Sequence, residues 1–210
     1  MNKIKLIYDK LFEAFGPQNW WPGDTDFEVC IGAILTQNTN WQNVEKAIKN
    51  LKDNKILSLK NLKEVNTKKL ASLIRPSGYY NQKAKKLKNF VNYVYKNYNG
   101  SLKGFFGSEN LRSELLSING IGPETADSII LYAAKKPIFV IDAYTKRIFS
   151  RLGYAEQSYE ALQELFMKNL GKNERLFNEY HALIVHLGKN LCKKVPFCED
   201  CPLNKMSCKL

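Results

Sequence analysis

Apolar side chains recur through most of this 210-residue chain at the three- to four-residue spacing of amphipathic helices. One such stripe lies in residues 4–15 and another in residues 87–95. Three further helices are predicted over residues 143–152, 159–170 and 174–190. Only residues 138–141 resemble a strand, and one short strand cannot form a sheet. The pattern therefore predicts an all-α fold.

Residues that commonly begin helices stand in front of several of these stripes. Thr25, with Glu28 three residues later, matches a capping box. The further candidate N-caps are Asn40, Thr67 and Asn81. Pro123 suits the first position of a helix, where its missing N–H has no partner to lose.

The balance of charge narrows the class of partner. The chain has 32 Lys and Arg against 20 Asp and Glu, which gives a net charge of +12. Such an excess suits a polyanion, and nucleic acid is the commonest one. Charge alone leaves open the alternative of a basic surface that serves only solubility.

The sequence contains no apolar run of the roughly 20 residues that a membrane crossing needs. The N-terminal segment is basic and apolar, but Asp9 and Glu13 interrupt it and no small-residue cleavage site follows. We therefore expect an amphipathic helix there and not a signal peptide. The protein is expected to be a cytoplasmic monomer.

The segment Ile-Asn-Gly-Ile-Gly at 118–122 joins two predicted helices. Gly120 and Gly122 allow positive φ angles and a close approach of the backbone to a ligand. The helix that begins at Pro123 presents unpaired N–H groups and the positive end of its dipole. This turn is a candidate phosphate site, with a plain turn between two helices as the alternative.

Asp142 stands at the predicted start of a helix, 20 residues after Gly122. An aspartate there commonly caps the helix. The same position keeps the carboxylate ionised, so that it could also stabilise an oxocarbenium-like sugar or activate a water. Asp142 is the candidate catalytic residue.

These motifs, INGIGPETA and VIDAYTKR, together resemble the helix-hairpin-helix and catalytic-aspartate signature of the endonuclease III superfamily of DNA glycosylases. LTQNTNW at 35–41, RPSGYYNQKAKKL at 75–87 and four C-terminal cysteines extend the resemblance to nearly the whole chain. The wording of the two inner motifs, with WWPGD before them, is closest to the endonuclease III-related branch that includes bacterial 3-methyladenine DNA glycosylase III. The resemblance implies base excision repair of double-stranded DNA at a damaged base, by a nucleoid-associated enzyme.

Glu124 departs from the pattern of the bifunctional members of that family. Those members carry at this position a lysine whose amine attacks the sugar and cuts the strand. A carboxylate cannot form a Schiff base, so the resemblance implies a monofunctional glycosylase. The rival interpretations are an endonuclease III-like enzyme with lyase activity and a non-catalytic helix-hairpin-helix module, which would need no Asp142.

All three tryptophans lie in the first 41 residues, and they are candidates for the pocket of a flipped base: Trp20, Trp21 and Trp41. Core packing is the alternative for each of them. By resemblance, Gln37 fills the space that the base leaves and Tyr79 wedges into the opposite strand. Lys83 is a candidate phosphate neighbour, and Thr125 is placed with the hairpin glycines among the DNA-binding residues.

Four cysteines lie within 17 residues: Cys192, Cys198, Cys201 and Cys208. Disulfides are rare in the cytosol, so metal binding is the leading interpretation. Zinc usually takes two close Cys-x2-Cys pairs and only one is present, which favours a [4Fe–4S] cluster. The loop spacing here is x5-x2-x6, whereas the family usually has x6-x2-x5.

These expectations combine into a two-lobed glycosylase. A six-helix lobe is predicted over residues 23–136, ending in the hairpin. A second lobe joins residues 1–22 to residues 137–210 and carries Asp142 and the cysteine loop at 192–208.

Overall fold

The computed structural model of the protein describes residues 2–20, 23–154, 157–206 and 208. In these residues all regular secondary structure is helical, which confirms the all-α fold. None of the helices described is long and apolar enough to cross a membrane. The chain divides into two compact units. One of them covers residues 21–134, so the predicted lobe boundaries at 23 and 136 each lie two residues too far along the chain. We call Met1–Trp20 with Lys135–Leu210 the split unit, and Trp21–Ala134 the central unit.

The central unit contains eight α-helices among its described residues, and not the six that were predicted. They are α2 (Asp26–Leu35), α3 (Trp41–Asp53), α4 (Leu59–Glu64), α5 (Thr67–Leu73), α6 (Tyr80–Tyr98), α7 (Leu102–Phe106), α8 (Leu111–Ser117) and α9 (Pro123–Ser128). A 3₁₀ turn, Arg75–Ser77, precedes α6, and a π-helical segment, Ile129–Ala133, continues α9. Helices α4 and α7 span six and five residues, too few for an apolar period to predict them.

Helices α2 and α6 form the core of the central unit. Every residue of α2 after Asp26 is buried, and α6 contacts α2, α4, α5 and α7. The predicted stripe on α6 is fully buried at Leu87, Phe90, Val91 and Val94. Burial of this apolar face, at roughly 25 cal/mol for each Å², is what holds these short helices together.

The split unit contains four α-helices in its described part. They are α1 (Lys3–Phe15), α10 (Ala143–Phe149), α11 (Tyr159–Leu170) and α12 (Glu174–Asn190), with a π-helical segment, Ser150–Tyr154, after α10. Helix α12 packs against α1 and α10. Phe139 stacks on Phe166 with ring centroids 3.8 Å apart, and the Tyr180 hydroxyl donates to the Ile4 carbonyl over 2.9 Å. This aromatic core holds the segment that leads to α10.

Capping side chains begin helices in both units. Thr25 and Asn40 cap α2 and α3 as predicted, each accepting from an N–H three residues on. The predicted cap at Thr67 is wrong by one residue. Asn66 accepts from the Lys69 N–H and Thr67 is the first residue of α5, because the cap must lie outside the helix in an extended conformation.

Candidate nucleic-acid interface and catalytic site

The turn between α8 and α9 is closed by a hydrogen bond from the Ile121 N–H to the Ile118 carbonyl, 3.0 Å long. Gly120 has φ of +99°, and a Cβ there would lie 2.4 Å from Cγ of Lys86. Gly120 is therefore required both by its backbone angle and by its neighbour. The positive φ expected at Gly122 is wrong, because its backbone is extended with φ of −98°.

The N-terminus of α9 is open to solvent. Gly122 is its N-cap, no side chain accepts from its first turn, and Gly122, Pro123 and Glu124 are exposed. A Cβ on Gly122 would meet no atom within 4 Å. The backbone N–H groups of this turn are thus physically suited to an anion.

The side-chain amide of Gln37 bonds both this turn with the start of α9 and helix α6. Its Nε2 donates to the Gly120 carbonyl over 3.1 Å and to Thr125 Oγ1 over 2.9 Å, while its Oε1 accepts from Lys86 Nζ. Thr125 is only 6% exposed, so its hydroxyl braces the turn and does not face solvent. The backbone N–H of Thr125 still belongs to the first turn of α9.

Tyr79 is the most exposed aromatic residue of its loop, with 66% of its surface accessible. Its φ of 44° and ψ of 32° place it in the left-handed region, directly after Gly78 with φ of +69°. Few residues other than glycine adopt this conformation. Helix α6 therefore begins at Tyr80, and the predicted cap Asn81 lies inside its first turn.

The expectation that Lys83 contacts a DNA phosphate is wrong. Lys83 is only 2% exposed, and its ammonium donates to the carbonyls of Leu35 and Ser77. Lys83 lies four residues before Leu87, on the same buried face of α6. A charged group fixed in this way has no surface for a phosphate to approach.

Asp142 caps α10 in the split unit. Its Oδ1 accepts from the Thr145 N–H over 2.7 Å and from the Thr145 hydroxyl over 2.8 Å. Its Oδ2 lies 3.7 Å from Nε2 of His181, and 13% of its side chain is exposed. Burial raises the pKa of this carboxyl, but His181 and the two Thr145 hydrogen bonds outweigh burial, so the pKa lies below its ordinary value. Asp142 is thus ionised at neutral pH.

His181 joins Asp142 to Trp20. The histidine is 4% exposed on α12, and its ring centroid lies 5.6 Å from that of the half-buried Trp20. Gln18 holds the chain before Trp20 against α12: its N–H donates to Glu179 Oε1 over 2.6 Å, and its Oε1 lies 3.0 Å from Nδ1 of His186. The split unit therefore places a carboxylate, an imidazole and an indole in one row.

The sequence also offered Trp41 and Trp21 for the base pocket. Trp41 lies on α3 of the central unit, where its ring covers Gly32 so closely that a Cβ there would be 3.3 Å from it. Its Nε1 donates to Glu45 over 2.9 Å. These contacts are typical of a packing role. Trp21 lies outside the described residues.

The four C-terminal cysteines line one cavity of about 210 Å³. The apolar residues Leu191, Pro196 and Phe197 complete most of its wall, and Arg151 Nη1 donates to Cys192 Sγ over 3.0 Å. In the described part of the chain, no three potential ligands converge closely enough to hold a single metal ion. Four sulfurs around a cavity, instead of around a point, are a donor set that fits a polynuclear group.

A comparison with known protein families identifies the family of this chain. The family model described as HhH-GPD superfamily base excision DNA repair protein matches residues 31–172, about two thirds of the chain. The chain belongs to the HhH-GPD superfamily. Both the hairpin and Asp142 lie within the matched residues.

Curated relatives of this HhH-GPD protein include a protein of Methanocaldococcus jannaschii that is named as a DNA repair glycosylase. It is 48% identical over 213 residues, which cover 97% of this chain and 96% of the relative. Endonuclease III of Thermotoga maritima is 31% identical over 185 residues, covering 85% of this chain and 81% of that enzyme.

Two solved structures share the fold of this HhH-GPD protein. The 3-methyladenine DNA glycosylase MagIII of Helicobacter pylori, bound to 1,N6-ethenoadenine, is 34% identical with a TM-score of 0.77, covering 89% of this chain and 94% of that one. A trapped endonuclease III–DNA covalent intermediate has a TM-score of 0.85 at 24% identity, covering 99% and 94%. At that identity the second likeness shows the fold alone.

One residue of the candidate site, His181, was not singled out in the sequence. The chain has only two histidines, and both lie on the predicted helix 174–190. Their presence on one helix was a usable signal. What the sequence could not show is that α12 packs against α10 and so brings His181 to Asp142.

Proposed function

We propose that this DNA repair glycosylase is monofunctional and hydrolyses the N-glycosidic bond of an alkylated purine, with 3-methyladenine as the expected base. The base would be flipped out of duplex DNA before cleavage. The observation that carries this proposal is the row of Asp142, His181 and Trp20 in the split unit. The geometry matches a reaction that needs a stacking surface and a permanent negative charge.

Binding would rest on the central unit. A net charge of +12 favours duplex DNA in general, and the exposed N-terminus of α9 offers backbone N–H groups to one phosphate. Such contacts position the duplex without reading its sequence. Gln37 and Tyr79 would then enter the duplex beside the damaged base, and Gln37 would exchange its hydrogen bonds to the hairpin for contacts with DNA.

Asp142 would act on the sugar. As the glycosidic bond breaks, its electron pair moves to the base and C1′ acquires positive charge, which the ionised carboxylate stabilises. Water then adds to C1′ and gives up a proton. Because N3-methylation already makes the adenine cationic, the base leaves as a neutral molecule and no general acid is needed.

Trp20 would supply the stacking surface. Its electron-rich face attracts a cation, and a methylated purine is both flat and positively charged. The similar structure from Helicobacter pylori is that of a 3-methyladenine DNA glycosylase bound to 1,N6-ethenoadenine, which supports this substrate class.

Strand cleavage is not expected. The first turn of α9 carries the exposed carboxylate of Glu124 at the position where bifunctional relatives use a lysine. Without an amine there, the route through a Schiff base between enzyme and sugar is missing. The sugar would therefore remain as an abasic site in an intact strand.

The four cysteines would hold a [4Fe–4S] cluster. Such a cluster supplies a covalent cross-link that ties the C-terminal loop to α12 and stabilises the fold. Arg147 and Arg151 already fasten this loop, since Arg147 donates to the Cys192 carbonyl and Arg151 to the carbonyls of Lys193 and Lys194. About four irons per chain are expected, and stoichiometric zinc in their place would contradict the assignment.

The proposal is tested by incubating the purified protein with duplexes that each contain one lesion. We expect release of 3-methyladenine, with strands that stay intact until alkali is added. Borohydride should trap no covalent adduct. Release of oxidised pyrimidines with a strong adduct would instead support an endonuclease III-like enzyme, and binding without release of any base would indicate a non-catalytic module.

A further inference from the structure

Lys83 is a buried ammonium that bonds two separate segments of the central unit. Its Nζ donates to the Leu35 carbonyl over 2.8 Å and to the Ser77 carbonyl over 2.6 Å. Its backbone N–H also donates to the Tyr79 carbonyl over 2.9 Å. At 2% exposure the side chain is shielded from solvent, so these contacts and not water satisfy its charge.

Both bonded carbonyls stand at helix ends. Leu35 is the last residue of α2, and Ser77 is the last residue of the 3₁₀ turn before α6. Carbonyls at a helix C-terminus lack partners within the helix and carry the negative end of its dipole. A cation between two such ends is held by both, whereas an apolar side chain of equal length would leave two carbonyls unpaired.

Each bonded carbonyl lies two residues before a side chain that is proposed to enter DNA. Gln37 follows Leu35 by two residues, and Tyr79 follows Ser77 by two residues. The second segment is also under backbone strain, because Tyr79 lies in the left-handed region after Gly78. Such a conformation persists only where its surroundings fix it.

We propose that Lys83 is a positioning residue that clamps the loops bearing Gln37 and Tyr79 to each other, so that both enter the duplex at a lesion as one preformed unit. This inference rests on the proposed function for its DNA step. Lys86, one helical turn later, extends the clamp through its contact with Gln37 Oε1, and Gln37 in turn bonds the hairpin. The clamp thus links three segments without touching DNA itself.

The test compares Lys83→Met with Lys85→Met. Lys85 is exposed on the same turn of α6, so each variant removes one positive charge from the same helix end. Hydrogen exchange of DNA-free protein is measured in peptides covering residues 33–40 and 74–82. Binding is measured at fixed salt to a duplex with a tetrahydrofuran abasic-site analogue and to the intact duplex.

For Lys83→Met we expect faster exchange in both peptides and about a 10-fold loss of preference for the abasic-analogue duplex, because the loops must then be ordered on binding. Affinity for the intact duplex should hold. Lys85→Met should leave exchange unchanged and weaken binding to both duplexes equally. Should Lys83→Met fail to fold, Lys83→Gln retains a donor of shorter reach and is expected to show both effects in weaker form.

Unchanged exchange in a folded Lys83→Met protein would overturn the clamp. Equal weakening on both duplexes would show Lys83 to be a phosphate contact instead, and faster exchange with full preference would remove its positioning role. A wild-type protein with no preference for the abasic analogue would refute the proposed function, and that result is read from the wild type alone.

Discussion

The hairpin region of the central unit and the Asp142 region of the split unit use charge in opposite ways. Around the hairpin, Lys83 and Lys86 are turned inward and brace loops, while the surface open to a ligand is backbone. Around Asp142, the charged group is the one proposed to act on the sugar, and Thr145 and His181 keep it ionised despite burial. The first arrangement suits binding of any duplex, and the second suits one chemical step.

This difference implies that binding and chemistry can be broken separately. A change at the hairpin should alter the affinity for DNA and leave the rate of base release from the bound complex unchanged. A change at Asp142 should alter the rate of base release and leave the affinity nearly unchanged. The two regions lie in different units of the chain. Loss of stability in the unit that carries a substitution can therefore be measured separately from the other unit.

Asp142→Asn should give the largest effect. Asparagine caps a helix nearly as well as aspartate, so the fold should survive. The lost negative charge should slow single-turnover release of 3-methyladenine by at least about 100-fold, which is roughly 3 kcal/mol in the barrier. Affinity for lesion DNA should hold or rise. A folded variant with nearly normal release would leave Asp142 as a cap only and would remove the proposed mechanism.

His181→Phe should slow base release by about 10-fold, because the carboxylate of Asp142 loses the imidazole whose Nε2 lies 3.7 Å from its Oδ2. Burial would then act on Asp142 with less opposition, so the pKa of its carboxyl should rise. The variant should therefore lose activity at a higher pH than the wild type as the solution is acidified. Rates measured between pH 4 and pH 8 check this shift.

His186→Phe is the matched control for that variant. His186 lies on the same helix but contacts Phe15 and Gln18 instead of Asp142. Its replacement should leave the acidic limb of the pH–rate profile where it is in the wild type. Equal profiles for the two histidine variants would contradict a direct role of His181 in keeping Asp142 ionised.

Gly120→Ala should break the hairpin region and spare the Asp142 region. A Cβ at φ of +99° and 2.4 Å from Lys86 should introduce strain of about 1–2 kcal/mol, and DNA affinity should fall by up to about 10-fold. The single-turnover rate at saturating enzyme should not change. Gly122→Ala is the control, since its φ of −98° suits alanine and its stability should stay within about 0.5 kcal/mol.

How much the sequence could predict depends on the range of the interaction. The capping role of Asp142 was predictable from sequence, because a cap and its helix lie within a few residues of each other. Lys83 was misassigned although it continues the buried stripe of α6 at a spacing of four from Leu87. The charge of a lysine predicts an exposed side chain. Only the two carbonyls at separate helix ends, those of Leu35 and Ser77, explain why this ammonium is buried.

Long-range packing explains the other differences. His181 reaches Asp142 only because α12 packs on α10, which no local pattern states. Trp41 lies over Gly32 on a neighbouring helix, and a glycine gives no sequence signal of what covers it. The all-α class was predictable, because apolar periodicity is a local property that each helix shows by itself.

The last expected effect concerns the protonation of Lys83. Burial, with repulsion from Lys86 in second place, lowers the pKa of this ammonium from 10.5 to about 8. Between about pH 8 and pH 10.5 the unfolded chain then holds a proton that the folded protein has released. The free energy of unfolding should therefore rise with pH across this window, as the cost of the buried charge is relieved, whereas below it that cost stays constant.

Thermal unfolding of wild type and Lys83→Met, measured at several pH values from 7 to 10, isolates this contribution as the difference between the two curves. The difference should change with pH only above about pH 8, in favour of the wild type, because every other titrating group is common to both proteins. Lys85→Met should follow the wild type throughout. If the difference in stability between wild type and Lys83→Met does not depend on pH, Lys83 has the same pKa in the folded and the unfolded state. The contrast between the inward-turned lysines and the carboxylate of Asp142 would then rest on their positions alone.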